Sequence, residues 1–108
     1  MADSYGRINS AGAYSIGAAT PVKVPTSNAT KRHGVRVQNT SASSYLYAVV
    51  VPAGASAPTL TTMVTSGNHS AYIPPQATWE DGCSENCDVY LLSSSGTVTA
   101  YVQEILIA

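Results

Sequence analysis

The chain has 108 residues, enough for one domain with a single modest core and too few for two. Only 10% of them are charged, against roughly 25% in an ordinary soluble domain, and the formal net charge is −1. Five Lys and Arg are too few to hold a polyanion, which argues against nucleic acid as a partner, and no apolar run approaches the ~18 residues of a membrane span.

The start of the chain carries no basic segment followed by an apolar one, so the expectation is a soluble product that needs no cleaved leader and no membrane. Ser, Thr, Asn and Gln must cover most of the surface. An exterior so poor in charge resists self-association weakly, which points to neighbouring subunits covering part of it.

Residues 1–19 are small and polar, with Tyr5, Ile8, Tyr14 and Ile16 as isolated apolar anchors. Gly6, Gly12 and Gly17 each disfavour a helix by about 1 kcal/mol relative to Ala, and no apolar stripe compensates. The segment therefore reads as a flexible N-terminal arm that orders on a partner.

From Thr20 onward, short β-rich runs alternate with Gly, Pro, Ser and Asn clusters, which predicts an all-β domain over residues 20–108. The expected architecture is a small antiparallel β-sandwich or barrel of about six to eight strands. The predicted strands cover residues 20–25, 34–39, 45–51, 70–74, 87–93 and 97–107.

Pro21 and Pro25 bracket Val22-Lys23-Val24, as suits an edge strand whose prolines cannot donate to a ladder. Val35 and Val37 alternate with Arg36 and Gln38, so Arg36 should point away from the core. In the next run Tyr45, Tyr47, Val49 and Val51 share one face, and Leu46, Ala48 and Val50 share the other. Both faces are apolar, which fits either a central strand of the subunit's own sandwich or a strand with one face against another chain.

The stretch "PAGASAP", residues 52–58, reads as an exposed loop. Ser95-Gly96 between two β-rich runs predicts a hairpin. In the last run, strict alternation places Glu104 on the face of Val98, Ala100 and Val102, and a bulge near Gln103 would turn it outward.

Arg7, Lys23, Lys31, Arg32 and Arg36 all lie in the first third of the chain, whereas five of the six acids lie at or beyond Glu80. Such asymmetry fits solvated loops, or complementary patches that meet between copies.

Cys83 and Cys87, in "DGCSENCDV", fit free thiols or a disulfide closing a small loop. The spacing matches no zinc pattern, His33 and His69 are the only histidines, and the acids of this loop lack a calcium-binding arrangement. No catalytic constellation emerges either: Glu80 and Asp81 are adjacent and would face opposite sides of a strand, and the serines have no convincing base. The expected protein is not an enzyme and takes no metal or cofactor.

The segments "ATPVKVP", "KRHGVRVQNTSASSYLYAV", "YIPPQATWE" and "VYLLSSSGTVTAYVQEI" resemble, in order, those of a small all-β family of tailed-bacteriophage virion proteins. The resemblance covers roughly residues 19–106, and its most specific pieces are Val37-Gln38-Asn39 and Ser95-Gly96-Thr97 through Val102 and Glu104.

It implies a structural protein located in the virion: a capsid decoration or cement protein docked between capsomers, or a tail, fibre or head-vertex module. The implied partners are the major capsid protein or another virion component and further copies of the chain, with a trimer suggested by local threefold positions of shells. In that setting the interface would draw on Tyr5, Arg7, Ile8, Tyr14 and Ile16 of the arm. Lys31, Arg32 and Arg36 would meet Glu80, Asp81 and Glu85 of a neighbour. A carbohydrate-binding module, with Tyr45, Tyr47, Tyr72 or Trp79 as a platform for sugar rings, is the alternative from a different class.

Overall fold

A computed structural model describes residues 7–26, 28–64 and 71–106. Alternating inward and outward side chains build eight strands: β1 (Arg7–Ile16), β2 (Val22–Val24), β3 (Arg32–Asn39), β4 (Leu46–Pro52), β5 (Ala71–Ile73), β6 (Thr78–Asp81), β7 (Cys87–Ser93) and β8 (Val98–Leu106). One short helix, α1 (Leu60–Val64), lies between β4 and β5. The strands form two antiparallel four-stranded sheets, ordered β1-β8-β3-β6 and β2-β7-β4-β5. Because the chain passes repeatedly from one sheet to the other, this strand order is that of a jelly-roll sandwich and not of a closed barrel.

The core lies between the sheets. Val35 and Val37 of β3 and Val98, Ala100 and Val102 of β8 meet Leu46 and Ala48 of β4 and Val89 and Leu91 of β7, and Ile16 and Val24 close the ends. β7 is buried on both faces, as expected for a central strand. Its Tyr90 and Leu92 join Val49 of β4 and Met63 of α1 in a second, smaller cluster on the outer side of the sheet. Both faces of β4 are thus used within the chain, the outer one partly by α1. Thr59 caps that helix, its hydroxyl accepting from the Thr62 N–H at 3.1 Å.

Several expectations change. Residues 7–16 are not a free arm: they form β1, paired along its length with β8, and Ile16 is fully buried. The glycine that argued against a helix has another use, since Gly12 adopts φ +108° where the β1 register shifts, a bulge conformation that L side chains avoid. Tyr5 lies outside the described residues, and for Arg7 and Ile8 only the backbone pairing with β8 is described.

β7 and β8 do not form a hairpin, because they belong to different sheets; Ser95-Gly96, with Gly96 at φ +63°, turns the chain from one layer to the other. β2 is an edge strand, as its prolines require. The bulge expected near Gln103 is absent from the β8–β3 register, so Glu104 stays inward.

Candidate functional site

A second bulge explains what the inward Glu104 does. In β3 the register against β8 slips between Arg32 and Gly34, making His33 an extra residue. Simple alternation from Val35 and Val37 would send Arg32 outward with Arg36; the inserted residue reverses its direction, and Arg32 is 2% exposed. Its Nη1 donates to Glu104 Oε2 at 3.3 Å and to Asn28 Oδ1 at 2.9 Å. Nε donates to the Cys83 carbonyl at 3.2 Å, and Nη2 to the Ser84 carbonyl at 2.6 Å and to that of Cys87. Glu104 Oε2 also accepts from the Ala29 N–H at 2.9 Å.

A charge this deep is tolerated only when paired and hydrogen-bonded, and both conditions are met. Arg32 therefore fastens the loop carrying the cysteines to the open end of the core. It cannot face a neighbouring subunit, and neither can Ile16.

Cys83 and Cys87 are free thiols, the first buried and the second half-buried. Burial pushes the Cys83 thiol up to about 11; the Arg32 charge pulls the other way, with Nη2 at 3.3 Å from Sγ, and Cys87 beside it adds to the rise. Asp88, also buried, is held below the ordinary carboxylate range. Burial alone would raise it, but the Asn28 amide at 2.8 Å, the Gly54 N–H at 3.1 Å and the Lys23 and Arg32 charges outweigh that effect.

Arg36, Glu80 and Glu85 also find partners within the chain. β3 and β6 are adjacent, with Arg36 opposite Glu80, and Arg36 Nε and Nη2 both lie 2.7 Å from Glu80 Oε2. Glu85 Oε1 accepts from the backbone N–H of the exposed Lys31 at 2.7 Å. Asp81 is half-buried opposite Val35. Arg32, Arg36 and the Lys31 backbone thus meet acids of the same subunit, because strand pairing brings the early cations beside the late acids. Tyr14 is half-buried, and its hydroxyl accepts from the Thr26 N–H at 3.1 Å.

Two outward faces remain. On the β2-β7-β4-β5 sheet, Tyr47 of β4 stands opposite Tyr72 of β5 in register, and Tyr45 precedes β4 on the same face. Their rings form a cluster, with Tyr47–Tyr72 centroids 5.1 Å apart and Tyr45 edge-on to Tyr72 at 6.2 Å. Tyr45 is 46% exposed and Tyr72 51%, and with Tyr47 and Ser94 they line a mainly apolar hollow of about 320 Å³.

Interplanar angles of 75° and 48° mean that the three rings do not form one shared flat shelf. Trp79, the fourth residue suggested for such a platform, lies on the other sheet, half-buried against the core. The second outward face, on the β1-β8-β3-β6 sheet, contains a groove of about 410 Å³ with a mixed polar and apolar lining that includes Arg36, Gln38, Thr78, Tyr101 and Gln103.

Among the described residues no group of three His, Cys, Asp or Glu is placed to hold a metal, and no helix is long and apolar enough to cross a membrane. Comparison with protein-family models, with curated proteins and with solved structures found no match.

Proposed function

We propose that the chain is a structural protein of a tailed-phage particle, a decoration or cement subunit that seats between capsomers with its tyrosine face against the major capsid protein. The observation that carries this reading is the cluster of the exposed Tyr45 and Tyr72 with the half-buried Tyr47, which joins it to the small core beneath α1. Tyrosines present large, stiff, amphipathic area at little entropic cost and are enriched where protein interfaces concentrate their binding energy.

Three further features support the proposal. The surface is poor in charge, the family resemblance runs through most of the chain, and the jelly-roll topology recurs in viral capsid domains. The same topology is also used by lectin domains, so topology by itself does not choose between docking and sugar binding.

Docking here relies on shape and apolar contact, because the charged pairs are largely spent inside the subunit. Repetition around the shell multiplies a weak single contact into firm attachment.

Copy number tests the proposal. Quantitative mass spectrometry of purified particles should find hundreds of copies for a decoration protein. About a dozen or fewer would instead place the chain at a tail, fibre or head vertex, and its absence from particles would overturn the reading altogether.

A further inference from the structure

We propose that the groove of mixed polar and apolar lining on the outer face of the β1-β8-β3-β6 sheet is a binding site for a neutral oligosaccharide, separate from the tyrosine face and independent of whether that face docks on a shell.

Strand register builds the groove. Tyr101 of β8, Gln38 of β3 and Thr78 of β6 are consecutive partners across three strands. One step further along, Gln103, Arg36 and Glu80 form a parallel row. All six point outward, opposite in sense to the buried Val37 and Val102 beneath them. The bulge at Gly12 on β1 contributes backbone to one wall without a side chain to fill the hollow. The resulting volume of about 410 Å³ falls in the range of small-ligand sites.

The second row is already organised. Arg36 donates to Glu80 through Nε at 2.7 Å and to Gln103 Oε1 through Nη1 at 3.2 Å, which fixes three long side chains in one arrangement before any ligand arrives. Among the described residues, the Gln38 amide, the Thr78 hydroxyl, the Gln103 amide nitrogen and the Tyr101 hydroxyl have no hydrogen-bond partner and face the groove.

Amides and hydroxyls of this kind both donate and accept. A sugar hydroxyl does the same, so a row of such groups suits a polyol better than it suits a pure acceptor such as phosphate or a pure donor such as an ammonium group.

Charge decides the rest. Among the described residues the one cation lining the groove, Arg36, is neutralised by Glu80, so neither an anionic nor a cationic ligand gains net attraction from it. The Tyr101 ring, 51% exposed and without a ring partner among the described residues, offers an apolar surface to the C–H face of a pyranose. The exposed rings of the tyrosine cluster are instead in contact with one another, and their hollow is mainly apolar.

The test is an array of neutral oligosaccharides probed with the full chain, followed by titration of the best binder monitored by amide chemical shifts. The expected result is saturable binding with the largest shifts at Gln38, Thr78, Tyr101 and Gln103, and no preference for sulfated probes. Gln38→Ala and Tyr101→Ala should each weaken binding about tenfold, as loss of a partner in a shared hydrogen-bond set does, with an unchanged melting temperature because both side chains are exposed. Tyr45→Ser should leave it intact. Absence of saturable binding across the array, or binding that survives both groove substitutions, would overturn the proposal. Particle attachment would be untouched by either outcome.

Discussion

Arg32 and Glu104, 72 positions apart in sequence, form an ion pair at 3.3 Å with side-chain exposures of 0% and 3%. The pair exists because a one-residue bulge in β3 turns Arg32 inward and an unbroken β8 keeps Glu104 there. Its expected effect is to hold the loop of Cys83 to Cys87 in place. Replacing Glu104 with Ala strands a guanidinium in the interior, and Arg32→Ala strands the carboxylate and several carbonyls. Each should lower unfolding free energy by about 3–5 kcal/mol in urea titrations, far more than Arg36→Ala, whose exposed partner Glu80 implies a loss of about 1 kcal/mol or less.

β1 makes a second prediction. Deleting residues 2–18 removes a whole edge strand and the buried Ile16, so the truncated chain should fail to fold cooperatively. The milder Ile16→Ala should cost about 2–4 kcal/mol by core truncation. Thermal and urea denaturation check both, and a truncated chain with native stability would show that β1 is dispensable.

Acid stability should depend on Asp88. Its carboxyl is held below its ordinary value in the folded chain, so the stabilisation it provides is present above the unfolded-state value of about 4 and is lost as pH falls through the lower folded one. Asp88→Asn should reduce stability at neutral pH and flatten the decline of stability at acid pH. Melting temperatures measured between neutral and strongly acid pH for the two proteins give the comparison.

The buried Cys83 thiol, with its pKa pushed up to about 11, should remain protonated near neutrality and be alkylated by iodoacetamide only slowly until the protein is denatured. Mass spectrometry of native and urea-unfolded samples, with a Cys87→Ser variant to isolate Cys83, measures this directly. Rapid native-state labelling of Cys83 would contradict the burial.

Much of the sandwich is legible in the sequence because period-two alternation survives wherever one face is buried: β3, β4, β7 and β8 all fall where Val, Tyr and Leu alternate or run together. The missed elements share a cause. β1 carries a glycine that looks like a breaker and is a bulge, β6 reads Thr-Trp-Glu-Asp with only Trp79 to mark its inner face, and α1 is too short to show a helical period.

Side-chain direction fails at Arg32 for a related reason, since a single inserted residue reverses every inference drawn from alternation beyond it. Tyr45 and Tyr47 could be placed on one face from their spacing, but the approach of Tyr72 and the two rows of side chains at the groove depend on interstrand register, which single-strand patterns do not encode.

Docking through the tyrosine face is tested most directly by co-sedimentation of the purified chain with phage particles that lack it, comparing the natural sequence with a Tyr45→Ser, Tyr72→Ser variant. Both side chains are about half exposed, so the variant should still fold cooperatively, with its melting temperature lowered by the loss of the ring contacts at Tyr72, and binding is compared at a temperature where both proteins are folded. The parent should saturate a fixed number of sites per particle, and the variant should bind about tenfold more weakly or worse, as loss of interface anchors does. Failure of the parent to sediment with particles, or equal binding by the variant, would contradict the account.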